Sequence, residues 1–265
     1  MRLVTSREHS LFKKLCRLQQ VSRQRYAEGK TLLDGVHLLQ SCLAAGNIPE
    51  LLIVSESGYR RAEVSQLLDR MTEVYGKIGC LLLSDALFNQ LSPVKTPVGV
   101  MALIRIPRYI QPSDFRENSF CILLETVQDP GNLGSILRSA AAAGVQNVFL
   151  SAGCVDGWSP KVLRAGMGAH FSLKIYENVD SIQIARRFNG NIVATALAAA
   201  DSIYRTDLRG SVMFIFGNEG GGISEELLQV VHKHVTIPMP GCAESLNVAA
   251  AAAICLFEKV RQESF

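Results

Sequence analysis

Apolar positions along this chain follow two rhythms, short continuous runs and spacings of three and four. Leu11, Leu15 and Leu18 recur at intervals of four and three within residues 7–20, which predicts an amphipathic helix with a basic opposite face. TLLDGVHLLQSCLAAG predicts a short buried strand running into a helix that stops at Gly46. ELLIVS, GCLLLS and GVMALIRI read as buried strands, with RRAEVSQLLDRM as a helix between the first two. A compact α/β unit therefore spans residues 1–106. PRYIQPSDFREN, with two prolines and little periodicity, reads as a linker over 107–118.

From 119 to 265 the alternation is stronger. FCILLETV, NVFLS, FSLKIY, NIVATAL, VMFIF and HVTIPM read as strands. NLGSILRSAAAAG, SPKVLRAGMG, SIQIARRF and SEELLQVV read as the helices between them, and an Ala-rich helix over 246–260 closes the chain. Strands that are apolar throughout, rather than alternating, predict a parallel sheet covered on both faces.

Charge changes this picture in one place. The whole chain carries +3, but residues 1–30 hold Arg2, Arg7, Lys13, Lys14, Arg17, Arg23, Arg25 and Lys30 against Glu8 and Glu28, a local +6 that leaves −3 for the rest. A concentrated basic end can recruit a polyanion by counterion release, although a solvated helix face would carry the same charge. Seven cysteines, none in a C-x-x-C pair, exclude a zinc ribbon or thioredoxin-type site and predict buried reduced thiols in a reducing compartment. No run reaches the ~18 apolar residues of a membrane span, and no signal peptide opens the sequence, so a cytoplasmic protein is expected. His232 and His234 read as surface residues rather than metal ligands.

Three loops follow buried strands at their carboxyl ends, where ligands of open α/β sheets bind. In DPGNLGSILR (129–138), Asn132 could cap the next helix, with Arg138 a surface charge six residues on. GNEGGG (217–222) lets the backbone approach a ligand and expose its amides, and fits neither a dinucleotide fingerprint nor a Walker A loop. Glu219 stands out there, because a structural turn needs no glutamate. In IPMPGCAESLNV (237–248), Ser245 or Asn247 could cap the Ala-rich helix.

Taken together, the three loops resemble the signature motifs of the SpoU (TrmH-like) family within the SPOUT class of RNA 2′-O-ribose methyltransferases. NLGSILRSA (132–140), FGNEGGGIS (216–224) and IPMPGCAESLNVAAA (237–251) occur in the family's order, and SPKVLRAGMGA (159–169) is similar to a connecting element. Gly166 departs from the pattern, standing where a small hydroxyl residue is common. The resemblance covers residues 119–262, and residues 1–106 resemble the ribosomal-protein-like RNA-binding domain that often precedes it.

The resemblance implies a parallel-sheet domain with a deep trefoil knot, a homodimer, and S-adenosylmethionine as cofactor. Thr195, Gly217, Gly220, Ile237 and Leu246 are the expected cofactor-binding residues. Arg138, Asn132, Glu219, Ser245 and Asn247 are the expected catalytic residues, acting on a ribose 2′-hydroxyl of structured RNA. Ribosomal RNA is the preferred substrate and transfer RNA the alternative, with no metal and no membrane partner. Deprotonating an arginine at pH 7 costs roughly 7 kcal/mol, so Arg138 is expected to hold a phosphate and a developing alkoxide before it acts as a base. A catalytically silent RNA-binding protein is a rival, opposed by the presence of all five catalytic matches. Base methylation through a cysteine nucleophile would need a Pro-Cys pair, which the sequence lacks.

Overall fold

In the computed structural model, which describes residues 3–196, 199 and 201–264, the chain divides into two units. The first joins the residues up to Pro107 to Trp158–Phe171, and the second joins Arg108–Gly157 to Ser172 onward. Among the expectations above, Arg2 and Leu197 lie outside the described residues.

The first unit runs β1 (Leu3–Val4), α1 (Ser10–Gln20), α2 (Ser22–Glu28), β2 (Lys30–Asp34), α3 (Val36–Ala44), β3 (Leu51–Ser55), α4 (Glu56–Tyr59), α5 (Ala62–Tyr75), β4 (Gly79–Leu83), α6 (Asp85–Leu91) and β5 (Val100–Arg105). Its sheet has the order β1-β4-β3-β5-β2, with β5 antiparallel to both of its neighbours. The stripe on α1 buries Phe12, Leu15 and Leu18 against Leu32, Ile53 and Met101, while Leu11 is only half-buried.

Several of the basic groups at this end have partners within the fold. The Arg25 guanidinium is buried and donates to the Leu18 and Gln19 carbonyls at 2.7 and 3.2 Å, satisfying the end of α1. Lys13 pairs with Glu8, Lys14 with Glu28 at 2.7 Å, and Lys30 with Glu50 at 2.5 Å. Arg7, Arg17 and Arg23 remain exposed.

The chain continues through β6 (Phe120–Leu124), α7 (Pro130–Ala142), β7 (Asn147–Ser151), α8 (Pro160–Gly166), β8 (Lys174–Val179), α9 (Ser181–Arg187), β9 (Asn191–Thr195), β10 (Asp201–Ser202), β11 (Val212–Phe216), α10 (Glu225–Leu228), β12 (Lys233–Thr236) and α11 (Val248–Ser264). Of these, α8 belongs to the first unit, where the Thr31 hydroxyl donates to the carbonyl of buried Trp158 at 2.8 Å. Gly166, the departure from the family pattern, is buried in the last turn of α8.

All described pairings in the second sheet are parallel, in the order β10-β12-β9-β11-β6-β7-β8. β6 and β11 are buried at every position, as continuous apolar runs require. The segment read as a linker is fastened by its aromatic rings. Phe115 packs edge-on against Phe149 and Phe188 at 5.9 and 5.0 Å between centroids, and Tyr109 against Tyr176 at 6.1 Å.

α11 is anchored at its far end by Lys259, which is 1% exposed and donates to the Leu208 and Gly210 carbonyls at 3.0 and 2.8 Å. Gln262 adds bonds to the Thr206 carbonyl and the Leu208 amide, both at 2.9 Å. Lys259→Ala strands two carbonyls and opens a void, so urea unfolding should show a loss of about 2–4 kcal/mol.

Candidate active site

Parallel pairing places β12, β9, β11 and β6 side by side, so the loops leaving their carboxyl ends share one edge of the sheet. A cavity of about 580 Å³ opens there. Its walls are Thr195 at the end of β9, the loop 217–222 after β11, and Ile237, Met239 and residues 245–248 after β12. Thr195, Gly217, Gly220, Ile237 and Leu246 all line it, as do Glu219, Ser245 and Asn247.

Asn132 does not cap α7. Asp129 does, accepting from the Asn132 amide at 2.7 Å, with Pro130 as the first helical residue. The Asn132 side chain is thereby freed for two other bonds. Its Nδ2 donates to Glu219 Oε1 at 2.8 Å, and its Oδ1 accepts from Asn247 Nδ2 at 2.9 Å. Asn247 is itself the cap of α11, its Oδ1 accepting from the Ala249 and Ala250 amides at 2.9 and 3.4 Å.

These bonds have only one consistent direction. Capping commits Asn247 Oδ1 as acceptor, so its NH₂ must donate to Asn132, whose NH₂ must then donate to a carboxylate. Glu219 is the end of this chain, and its second oxygen is left for a ligand. It also lies at the first turn of α7, where the helix dipole favours an anion by about 0.3–1 kcal/mol.

Arg138 and Ser245 stand outside this network. Arg138 is exposed on α7, about 9 Å further along the axis than Asn132, and forms no hydrogen bond or ion pair with any described residue. Ser245 lies in an exposed loop and takes no part in capping.

The glycine loop differs from its expected role. Its amides turn inward: Asn218 Oδ1 accepts from the Gly220 and Gly221 amides at 2.8 and 3.0 Å, and the Gly222 amide donates to the Asn218 carbonyl at 3.0 Å. Gly217 is required by the loop's closure on itself, since a Cβ there would stand 2.1 Å from the Gly222 carbonyl oxygen. Asn218 Nδ2 further donates to the Thr126 carbonyl at 2.8 Å. Glu125 binds the loop's other end, accepting from the Ser224 amide and hydroxyl at 2.7 and 2.8 Å. Thr126 sits at φ +53°, a strained conformation for a β-branched residue worth roughly 1–3 kcal/mol. β6 ends at Leu124, short of the sequence expectation, because Glu125 and Thr126 turn to this task. Asn218 carried a signal in the sequence, an Asx side chain two and three residues before glycine amides, whereas Glu125 and Thr126 carried none.

Thiol chemistry is absent from the cavity walls, and burial pushes the Cys121 and Cys255 thiols up to about 12. The ring of His232 lies 3.2 Å from the Ile192 amide and 3.1 Å from the Gly190 carbonyl. No described helix is long and apolar enough to cross a membrane.

The profile of the SpoU rRNA Methylase family matches residues 119–257. An uncharacterized tRNA/rRNA methyltransferase of Synechocystis is 33% identical over 98% of this chain and 94% of its own length. The chain belongs to the SpoU rRNA methylase family. Residues 10–102 match the MRM3-like substrate binding domain. The 23S rRNA (guanosine(2553)-2′-O)-methyltransferase RlmP of Bacillus subtilis is 30% identical over 89% of this SpoU chain and 90% of its own. A crystallised RNA 2′-O ribose methyltransferase superposes with a TM-score of 0.84 at 31% identity, covering both chains fully. An AdoMet-bound rRNA methyltransferase of Sinorhizobium meliloti superposes with the same score at 28% identity, over 98% of this chain and 97% of that one.

The two duties of Asn247 can be separated. Asn247→Ala should lower thermal stability by about 1 kcal/mol through the lost cap. Asn247→Asp keeps the cap, and should unfold within about 0.5 kcal/mol of the parent while losing its bond to Asn132.

Proposed function

We propose that this protein transfers a methyl group from S-adenosylmethionine to a ribose 2′-hydroxyl of ribosomal RNA. The observation that carries the reading is the Asn247–Asn132–Glu219 chain at the rim of the cavity. The RNA 2′-O methyltransferases among the relatives and solved structures support the reaction class.

The cavity suits the cofactor. Its volume of about 580 Å³ lies within the roughly 300–1,000 Å³ of small-molecule sites. Phe216, Ile237 and Leu246 supply apolar surface for an adenine, and Thr195, with the backbone groups of 217–222 not used in the loop's own closure, supplies polar groups. When bound, S-adenosylmethionine supplies a methyl group on a positively charged sulfur, a leaving group already activated.

The protein's remaining task is to align the ribose and dispose of the hydroxyl proton. Glu219, held by Asn132, presents its free oxygen to the ribose hydroxyls, Ser245 on the same cavity wall is a second polar contact, and the hydroxyl proton leaves to solvent. Arg138, having no partner among the described residues, is available to bind the target phosphate and to stabilise the alkoxide as it develops. The first unit holds the RNA and the second performs the transfer, in keeping with the substrate-binding match over 10–102. The same reading includes a homodimer, a knotted C-terminal thread and a cytoplasmic setting. The exposed Phe257 on α11 supports the first of these.

The test is methyl transfer from labelled S-adenosylmethionine to total RNA of a strain lacking the gene, followed by nucleoside analysis. A 2′-O-methylated nucleoside in ribosomal RNA is expected, with a loss of about 100-fold or more in Glu219→Ala and Arg138→Ala. Label in transfer RNA would move the substrate. Cofactor binding without transfer to any RNA would leave a silent RNA-binding protein. Near-normal activity in Arg138→Lys would remove Arg138 from its role.

A further inference from the structure

We infer that Asn218 and Thr126 form a latch that sets the cofactor-side wall of the cavity, and that Gly153 is the space in which the latch sits. Three independent contacts fix Thr126. Its amide donates to Ser151 Oγ at 3.0 Å, its carbonyl accepts from Asn218 Nδ2 at 2.8 Å, and its γ-methyl fills the place of a Gly153 side chain. A Cβ on Gly153 would stand 2.2 Å from that methyl and 3.2 Å from Thr126 Cβ. Gly153 has no positive φ, so backbone conformation does not demand glycine there, and the close approach of Thr126 does.

A β-branched residue at φ +53° persists only where its surroundings over-determine it, and such strain gathers at functional sites. Here the strain aims one carbonyl. That carbonyl orients the Asn218 amide, so its opposite end faces the Gly220 and Gly221 amides. The neighbouring Glu125 grips Ser224, so two consecutive residues hold the glycine loop at both ends. Gly217, Asn218, Gly220 and Gly221 line the cavity, whereas Thr126 and Gly153 do not. Thr126 and Gly153 therefore act on the cofactor only through Asn218, as positioning residues.

This inference rests on the cofactor reading above, and the experiment separates the two. S-adenosylmethionine binding would be measured by calorimetry for the parent, N218D, G153A and the double variant G153A/T126A, alongside thermal unfolding. Amide exchange at Gly220 and Gly221 would be followed in ligand-free parent and N218A. The carboxylate introduced by N218D still accepts from both glycine amides but cannot donate to Thr126, so this variant should weaken binding roughly tenfold. G153A should weaken it by a similar factor by displacing Thr126. G153A/T126A, which removes the obstructing methyl, should return to within about twofold of the parent, a recovery that general destabilisation would not give. Exchange at Gly220 and Gly221 should rise at least about tenfold in N218A.

Binding within twofold of the parent in both N218D and G153A would overturn the latch, as would a double variant no better than G153A. If N218D fails to fold, the G153A and G153A/T126A pair decides. If the parent itself binds no S-adenosylmethionine, the functional reading fails, and unchanged glycine exchange in N218A is then what overturns the latch.

Discussion

The loops that make this site leave the sheet together and lie beyond its strand ladders, so side chains must tie them to one another. Asparagine side chains do so. Asn247 caps α11 and bonds Asn132, Asn132 reaches from α7 to Glu219, and Asn218 ties the glycine loop to the turn after β6. An amide carries both donors and an acceptor on one rigid plane, so each can join two loops at once. Replacing any of them by aspartate keeps the shape and reverses half the polarity. The arrangement therefore specifies direction as well as position, and it ends on a carboxylate with an oxygen to spare.

Anchoring of α11 at both ends follows from the same constraint. Its first turn is in the site through Asn247, and its last turns are pinned by Lys259 and Gln262 to residues 206–210. A helix fixed at one end only would let its cap wander relative to α7, against which it packs. Arg138 is the contrast. It is exposed and unbonded among the described residues, which suits a group whose partner arrives with the substrate.

Much of the fold was legible in the apolar runs. VMFIF and NVFLS are strands to the residue, because a buried parallel strand needs apolar side chains on both faces. FCILLETV read too long, since Glu125 and Thr126 are taken from the strand by contacts with residues about 90–100 positions away, which no local pattern encodes. The local alternative of Asn132 as a cap fails because Asp129 before Pro130 is the better signal. Charge counting at the N-terminus cannot see that Arg25 is buried or that Lys30 pairs with Glu50, yet the RNA-binding expectation it raised agrees with the substrate-binding match over 10–102. Packing of Trp158–Phe171 into the first unit was likewise beyond a reading made element by element.

The central claim is that a single cavity at the carboxyl ends of these strands binds the cofactor beside the Asn132–Glu219 pair. A crystal structure with S-adenosylhomocysteine tests it most directly. The account predicts the ligand between the 217–222 loop and Ile237–Leu246, with Asn132 still bonded to Glu219. Ligand density at any other place, or a Glu219 withdrawn from Asn132 once the ligand is bound, would contradict it.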